Sequence, residues 1–196
     1  MSTFVDNFDG SVISAFWYDT AGCSVSGGRL GMGSSGHATG KTFPGGLILT
    51  TQSDVHTADD YTDSNLMTMA IGGSGHSIGM MHYAYRDSPD KGGAKHRWTK
   101  VFVDGPEVYS ANCTNNIYFK IVFTPTQKAV CWCGYDGVVW GNNAPYFTNG
   151  LPIYTQNWSS DFIPNAVTLS GFSDAPASSY FYDFSMISSG GNVVLF

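Results

Sequence analysis

The chain is short of the residues that build helices and charged surfaces. Glutamate occurs once in 196 residues, as Glu107, and charged residues of both signs make up only 12% of the sequence. Surface helices draw on Glu, Lys, Arg and Ala, and no segment carries an apolar helical stripe over three turns. The nine Lys and Arg are scattered, apart from a small cluster at residues 95–97 with Lys100, and the net charge is −6. A nucleic-acid binder relies on a concentrated basic face, so no nucleic-acid partner is expected. No run approaches the roughly 18 apolar residues of a membrane-spanning helix. Residues 1–6 lack a positive segment followed by an apolar one, and the expectation is synthesis in the cytosol without a signal peptide.

Cysteine is sparse as well: Cys23, Cys113, Cys131 and Cys133. Cys131 and Cys133 stand two apart, so on a strand they share a face and are badly placed to bridge each other. The spacing is a poor zinc signature. The expectation is small buried hydrophobes in a reducing compartment; a bridge from Cys113 to Cys131 or Cys133 is the alternative.

What the chain has in quantity is aromatic residues, 15% of the sequence, and 24 glycines. β-rich runs alternate with Gly, Asn, Asp, Ser and Pro. Strands are predicted over 5–8, 24–30, 47–51, 65–71, 77–87, 96–103, 117–123, 128–135, 138–140, 166–172 and 180–187, with a final one over 193–196. The clearest is 117–123. Ile117, Phe119, Ile121 and Phe123 share one face, and Tyr118, Lys120 and Val122 the other. Asp136-Gly137 predicts a two-residue hairpin turn into Val138-Val139-Trp140. Residues 27–46 are glycine-rich and low in bulk, and 141–164 reads as a long surface loop. With no repeat and no linker, residues 1–196 form a single domain. The predicted class is all-β, a two-sheet antiparallel sandwich of jelly-roll type.

Three motifs suggest active sites, and each lacks its structural context. Gly31-Met32-Gly33-Ser34-Ser35-Gly36 matches a dinucleotide fingerprint, and Gly40-Lys41-Thr42 the end of a phosphate-binding loop. Both need a helix at once, and Pro44-Gly45-Gly46 cannot propagate one. Gly75-His76-Ser77-Ile78-Gly79 matches a nucleophile elbow, which needs a strand-to-helix turn; here the sequence continues as a strand. Asp54, Asp59, Asp60 and Asp63 offer oxygen ligands for calcium, yet their spacing reads as a solvated loop. Asn112-Cys113-Thr114 and Asn157-Trp158-Ser159 fit the glycosylation sequon, which means little without secretion.

The opening Phe4-Val5-Asp6-Asn7-Phe8-Asp9-Gly10, then Trp17, then Gly27-Gly28-Arg29-Leu30, resembles the start of concanavalin A-like lectin and glucanase domains. Tyr118-Phe119-Lys120-Ile121 with Asp136-Gly137 and Trp140 resembles their inner hairpin, and 167–172 with Tyr182-Asp183-Phe184 their closing strand. The resemblance runs through nearly the whole chain. It implies that the first and last strands are neighbours and that Phe8, Trp17, Phe119 and Phe184 lie in the core. The glucanases of this group carry two glutamates on one strand. With Glu107 alone that motif is absent, so the group's enzymatic activity is not expected to carry over and no catalytic residue is assigned; the Cys and Asp spacings give no reason to expect a metal, and no cofactor is expected.

Such non-catalytic sandwiches bind carbohydrate on a concave sheet face or at edge loops, where aromatic rings stack on sugars and a few polar groups fix the hydroxyls. The candidates outside the core pattern are Tyr83, Tyr85, Arg86, Trp98, Trp132, Tyr146 and Trp158, each of which is also readable as ordinary packing or surface. Cytosolic synthesis, low charge and the apolar end Val193-Val194-Leu195-Phe196 favour a virion-surface structural or adhesion protein, a homo-oligomer whose partners are other virion proteins or a cell-surface glycan. The alternative is a stand-alone lectin, intracellular or extracellular; an enzyme acting on polysaccharide ranks third.

Overall fold

The computed structural model describes residues 2–55, 64–114, 116–159, 161–173 and 179–188. Its elements are β1 (Ser2–Asp6), β2 (Trp17–Val25), β3 (Leu30–Lys41), β4 (Leu47–Asp54), β5 (Ser64–Gly73), β6 (His76–Arg86), β7 (Lys95–Val103), β8 (Glu107–Asn112), β9 (Asn116–Thr124), β10 (Lys128–Gly134), β11 (Tyr154–Asn157), β12 (Ala166–Ser173) and β13 (Tyr180–Ser188), with one 3-10 turn at Pro89–Lys91. Neighbouring strands pair antiparallel throughout.

Hydrogen bonding runs in the order β11-β10-β9-β4-β13-β3-β12-β5-β6-β7-β8, with β1 on β13 and β2 on β3. The path is thinnest between β13 and β3, where only Tyr180–Gly31 and Phe181–Leu30 pair. There it divides into a six-stranded layer, β11-β10-β9-β4-β13-β1, and a seven-stranded layer, β2-β3-β12-β5-β6-β7-β8. The inward halves of both meet in one core. Leu49, Phe119, Ile121, Cys131 and Met186 come from the first, and Met32, Met69, Met80, Val101 and Leu169 from the second; all are fully buried. Five buried methionines (Met32, Met67, Met69, Met80 and Met186) suit a space between twisted layers, because the flexible thioether fills irregular gaps.

The expected neighbouring of the first and closing strands holds: β1 pairs with β13, Asp6 opposite Phe184. The Asp6 carboxylate accepts from the Phe8 N–H at 2.9 Å and from the Trp17 indole N–H at 2.9 Å. Phe4, Phe16, Trp17 and Phe184 pack ring against ring around it. Phe8, Trp17, Phe119 and Phe184 are all buried. The decoy motifs meet strands: 31–36 lie inside β3, and 75–79 form a tight hairpin into β6, with Ser74 and Gly75 at positive φ.

Several boundaries differ from the prediction. The glycine-rich stretch is mostly β3, twelve residues long. Its missing bulk is space used by neighbours, for a methyl at Gly40 would overlap the Phe16 ring. β2 begins at Trp17, and β8 and β11 were not anticipated. The expected strand over 138–140 is absent. The Asp136 carboxylate accepts from both the Val138 and Val139 N–H groups, at 2.8 and 2.7 Å, which widens the turn, and the chain rejoins β10 only at the Cys133–Gly141 bridge. The described residues among 141–164 are loop apart from β11 and the bridge at Gly141, yet they press Phe147, Ile153, Trp158 and Phe162 into the core. All four cysteines are free, and Cys131 and Cys133 are core residues as expected. The strand over 193–196 and the aspartates 59, 60 and 63 lie outside the described residues; among those described, no group of acids, His or Cys is placed to hold a metal.

Among the described residues, one imidazole is fully buried within the core. His82 lies 3.3 Å from the Ser53 hydroxyl through Nδ1 and 3.1 Å from the Thr114 carbonyl through Nε2. A neutral ring, accepting at Nδ1 and donating at Nε2, satisfies both. Burial above all, then the nearby Arg97 cation, pushes its pKa from 6.5 down to about 3. The unfolded chain takes up this proton more readily than the folded one. His82 therefore contributes its full stability above pH 6.5 and loses it as the pH falls toward about 3. Urea unfolding is expected to lose about 1.4 kcal/mol per pH unit below about pH 6 from this group. His82→Gln should flatten the slope between pH 6.5 and 5; an unchanged slope would clear His82 of the effect.

Candidate functional site

Strict alternation along β6 and β7 decides which side chains reach solvent. On β6, Ile78, Met80, His82 and Ala84 are buried, and Met81, Tyr83 and Tyr85 face outward. On β7, Thr99, Val101 and Val103 are buried, and His96, Trp98 and Lys100 are on the outer side. The register sets Tyr83 opposite Trp98 and Tyr85 opposite His96, with Lys100 opposite Ser110 on β8. Three of the sequence candidates thus meet on one surface, the outer face of the seven-stranded layer.

The rings form a short stack. Tyr83 and Tyr85 lie with centroids 5.5 Å apart and planes 29° apart, and Tyr85 and His96 at 4.8 Å and 19°. The Lys100 ammonium stands 5.4 Å from the Tyr83 ring centre. Tyr83, Tyr85, Trp98, Lys100 and Ser110 line a hollow of about 240 Å³. An ion pair and a side-chain hydrogen bond fix its edges. Lys100 Nζ lies 2.8 Å from Glu107, and that hydrogen bond holds the glutamate below the usual carboxylate range. His96 Nε2 lies 2.8 Å from the Asp87 carboxylate. Apolar ring faces beside an ammonium and a hydroxyl give a surface that stacks on a flat apolar ligand face and hydrogen-bonds its edge.

Polar side chains extend this face along the neighbouring strands. The paired registers put Met81, Thr68, Ser170 and His37 in one row. In the next row the Thr39 and Thr168 hydroxyls are 3.2 Å apart.

The other four candidates lie elsewhere. Arg86 belongs to the inward-pointing half of β6 at its end, and its Nε donates to the Gly93 carbonyl at 3.1 Å. Trp132 is on β10, in the outer face of the opposite layer, where Val122, Val130, Ile48 and Trp140 cover it. Trp158 is buried against Phe162, at 4.7 Å, and Phe123; it closes one end of the sandwich. Tyr146 is 68% exposed at the tip of the 141–153 loop. Sequence reasoning missed His96, Lys100 and Ser110. The first two were within reach, since they stand two residues either side of Trp98 and share its face by the period-two rule.

No protein-family model matches the chain, and no curated protein matches it in sequence. Solved structures do match. A xylan β-1,4-xylosidase from Bacillus halodurans C-125 superposes with a TM-score of 0.63 at 12% identity over 93% of this chain, which spans only 38% of that enzyme. The exoplasmic/lumenal domain of VIP36, in a form bound to Ca2+ and Man2, gives 0.62 at 10% identity, covering 98% of this chain and 89% of that one. A lectin from Bauhinia forficata in complex with GalNAc gives 0.57 at 9% identity, covering 94% and 97%. At such identities the likeness speaks for the fold, which is the concanavalin A-like jelly-roll sandwich.

Burial separates the tryptophans by role. Trp98→Ala should change unfolding free energy by only about 1 kcal/mol. Trp158→Ala should cost about 3–5 kcal/mol, as core aromatic deletions do. Urea titrations of the two variants read the difference, and equal losses would contradict the assignment of Trp98 to the outer face.

Proposed function

We propose that this chain, which has the concanavalin A-like lectin fold, is a carbohydrate-binding module that holds a glycan against the outer face of its seven-stranded sheet. The observation that carries the reading is the convergence of Tyr83, Tyr85 and Trp98 on one hollow with Lys100 and Ser110 at its rim. The lectins among the structural neighbours, with mannose-containing or GalNAc ligands, support the ligand class.

Binding without hydrolysis is part of the proposal. Retaining glycosidases place two carboxyls about 5 Å apart and inverting ones somewhat further. The single glutamate, Glu107, is engaged by Lys100, and no pair of acids lines the hollow. The xylosidase neighbour adds no weight to an enzymatic role, because this chain corresponds to a minor part of it. The expectation of a virion-surface homo-oligomer draws no support from the comparisons, and carbohydrate binding stands ahead of it.

A glycan array followed by calorimetry on the best binder tests the reading. Trp98→Ala and Tyr85→Ala should each weaken binding at least about tenfold, the equivalent of roughly 1.4 kcal/mol, while the melting temperature stays near that of the parent. Binding that survives both substitutions, or release of sugar from a polysaccharide by the purified chain, overturns it.

A further inference from the structure

The outer face of the six-stranded layer carries its own hollow, of about 310 Å³, at the small end of ligand sites, which span roughly 300–1,000 Å³. The sandwich lies between it and the ring cluster on β6 and β7. Trp140 and Tyr118 form an aromatic wall on one side. The floor is Thr50 and Ser185, whose hydroxyls are bonded to each other at 2.6 Å. Asn7, Gln52 and Asp183 stand around it.

The wall is held in place by its surroundings. Lys120 lies between two indoles, its ammonium 4.5 Å from the Trp140 ring centre and 5.1 Å from that of Trp132. The Trp140 carbonyl accepts from the Gly150 N–H at 2.8 Å. Gly137 packs against the face of Tyr118, where an added methyl would come within 3.1 Å of the ring. Asn7, Gln52 and Asp183, by contrast, make no side-chain hydrogen bond to another described residue. Two amides and one carboxylate therefore stand with unused hydrogen-bonding capacity beside a fixed aromatic wall.

That combination selects a ligand class. The carboxylate accepts only, so it calls for hydroxyl or amide donors and repels an anion. The amides both donate and accept, and the rings call for an apolar face. A neutral pyranose offers all three on one small ring. We propose that this hollow is a second saccharide site, for a neutral monosaccharide unit, independent of the site on the seven-stranded layer. The chain would then present two glycan-binding faces back to back.

The test uses the full chain and four probes: methyl α-mannoside, methyl β-galactoside, methyl β-glucoside and N-acetylglucosamine. Each is titrated while the indole N–H resonances are followed by NMR, with Trp140 assigned through Trp140→Phe. At least one probe should shift the Trp140 resonance in a saturable way, and equally in Trp98→Ala, which lacks the first site. Asp183→Asn exchanges an exposed carboxylate for an amide and should weaken this binding at least about tenfold. It should leave any binding at Trp98 unchanged. No saturable shift at Trp140 with any probe overturns the proposal, as does binding there that Asp183→Asn leaves intact. Failure at Trp98 alone counts against the first site only.

Discussion

Each outward residue in this protein is fixed by an inward neighbour. Burial of Ile78, Met80 and Ala84 on β6, and of Val101 and Val103 on β7, leaves Tyr83, Tyr85, His96, Trp98 and Lys100 no other side to occupy. Burying a side chain of this size is worth about 1.5–3 kcal/mol, so slipping either strand by one residue would exchange several such terms for exposure and turn the rings inward. The register that protects the core is the register that assembles the ring cluster. Cross-strand contacts among the rings add less, about 0.5–1.5 kcal/mol per pair, and follow from that placement.

A second fixed point is the Asp6 carboxylate. It is bonded at once to the Phe8 amide and the Trp17 indole, so it joins the first strand to the segment that leads into β2. Phe184 of the last strand packs against the same tryptophan at 5.1 Å. Asp6, Phe4 and Trp17 of the opening motif are therefore one structural knot with Phe184.

Most of the fold was legible because its signal is local. The 117–123 segment alternates almost perfectly, and its four inward residues are buried as read. Where reading failed, the cause lay at a distance. No strand was predicted over most of β3 because it is built around glycines, and those glycines answer to Phe16 and β2, which a window along the sequence does not contain. The Asp136-Gly137 pair did turn the chain, but the aspartate's own side chain captured two backbone N–H groups and opened the turn beyond two residues. The site was half legible for the same reason. Tyr83, Tyr85 and Trp98 follow from strand parity. Trp132 and Trp158 carry no local mark that sets them apart from Trp98; only the pairing of β9 with β10, and the return of the 158–162 segment over Phe123, shows that other side chains cover them.

The two outer faces then differ by physical necessity. Beneath Tyr83 and Trp98 the sheet is backed by a core with a polar stratum, His82, Thr99 and the Arg97 guanidinium, whose ionisation burial disfavours. The opposite layer carries extra apolar cover on its outside, where Val122, Val130 and Trp132 form a separate cluster beneath Trp140. One sheet exposes rings over a sealed interior; the other buries one indole in order to hold another upright. The inward half of each strand is constrained by packing and the outward half by little else, so chains with 7–12% identity share this architecture. The same freedom keeps ligand chemistry from travelling with the fold. In this protein the outward half carries tyrosines, a tryptophan and a lysine around one hollow, and a glutamine and an aspartate beside an aromatic wall around the other.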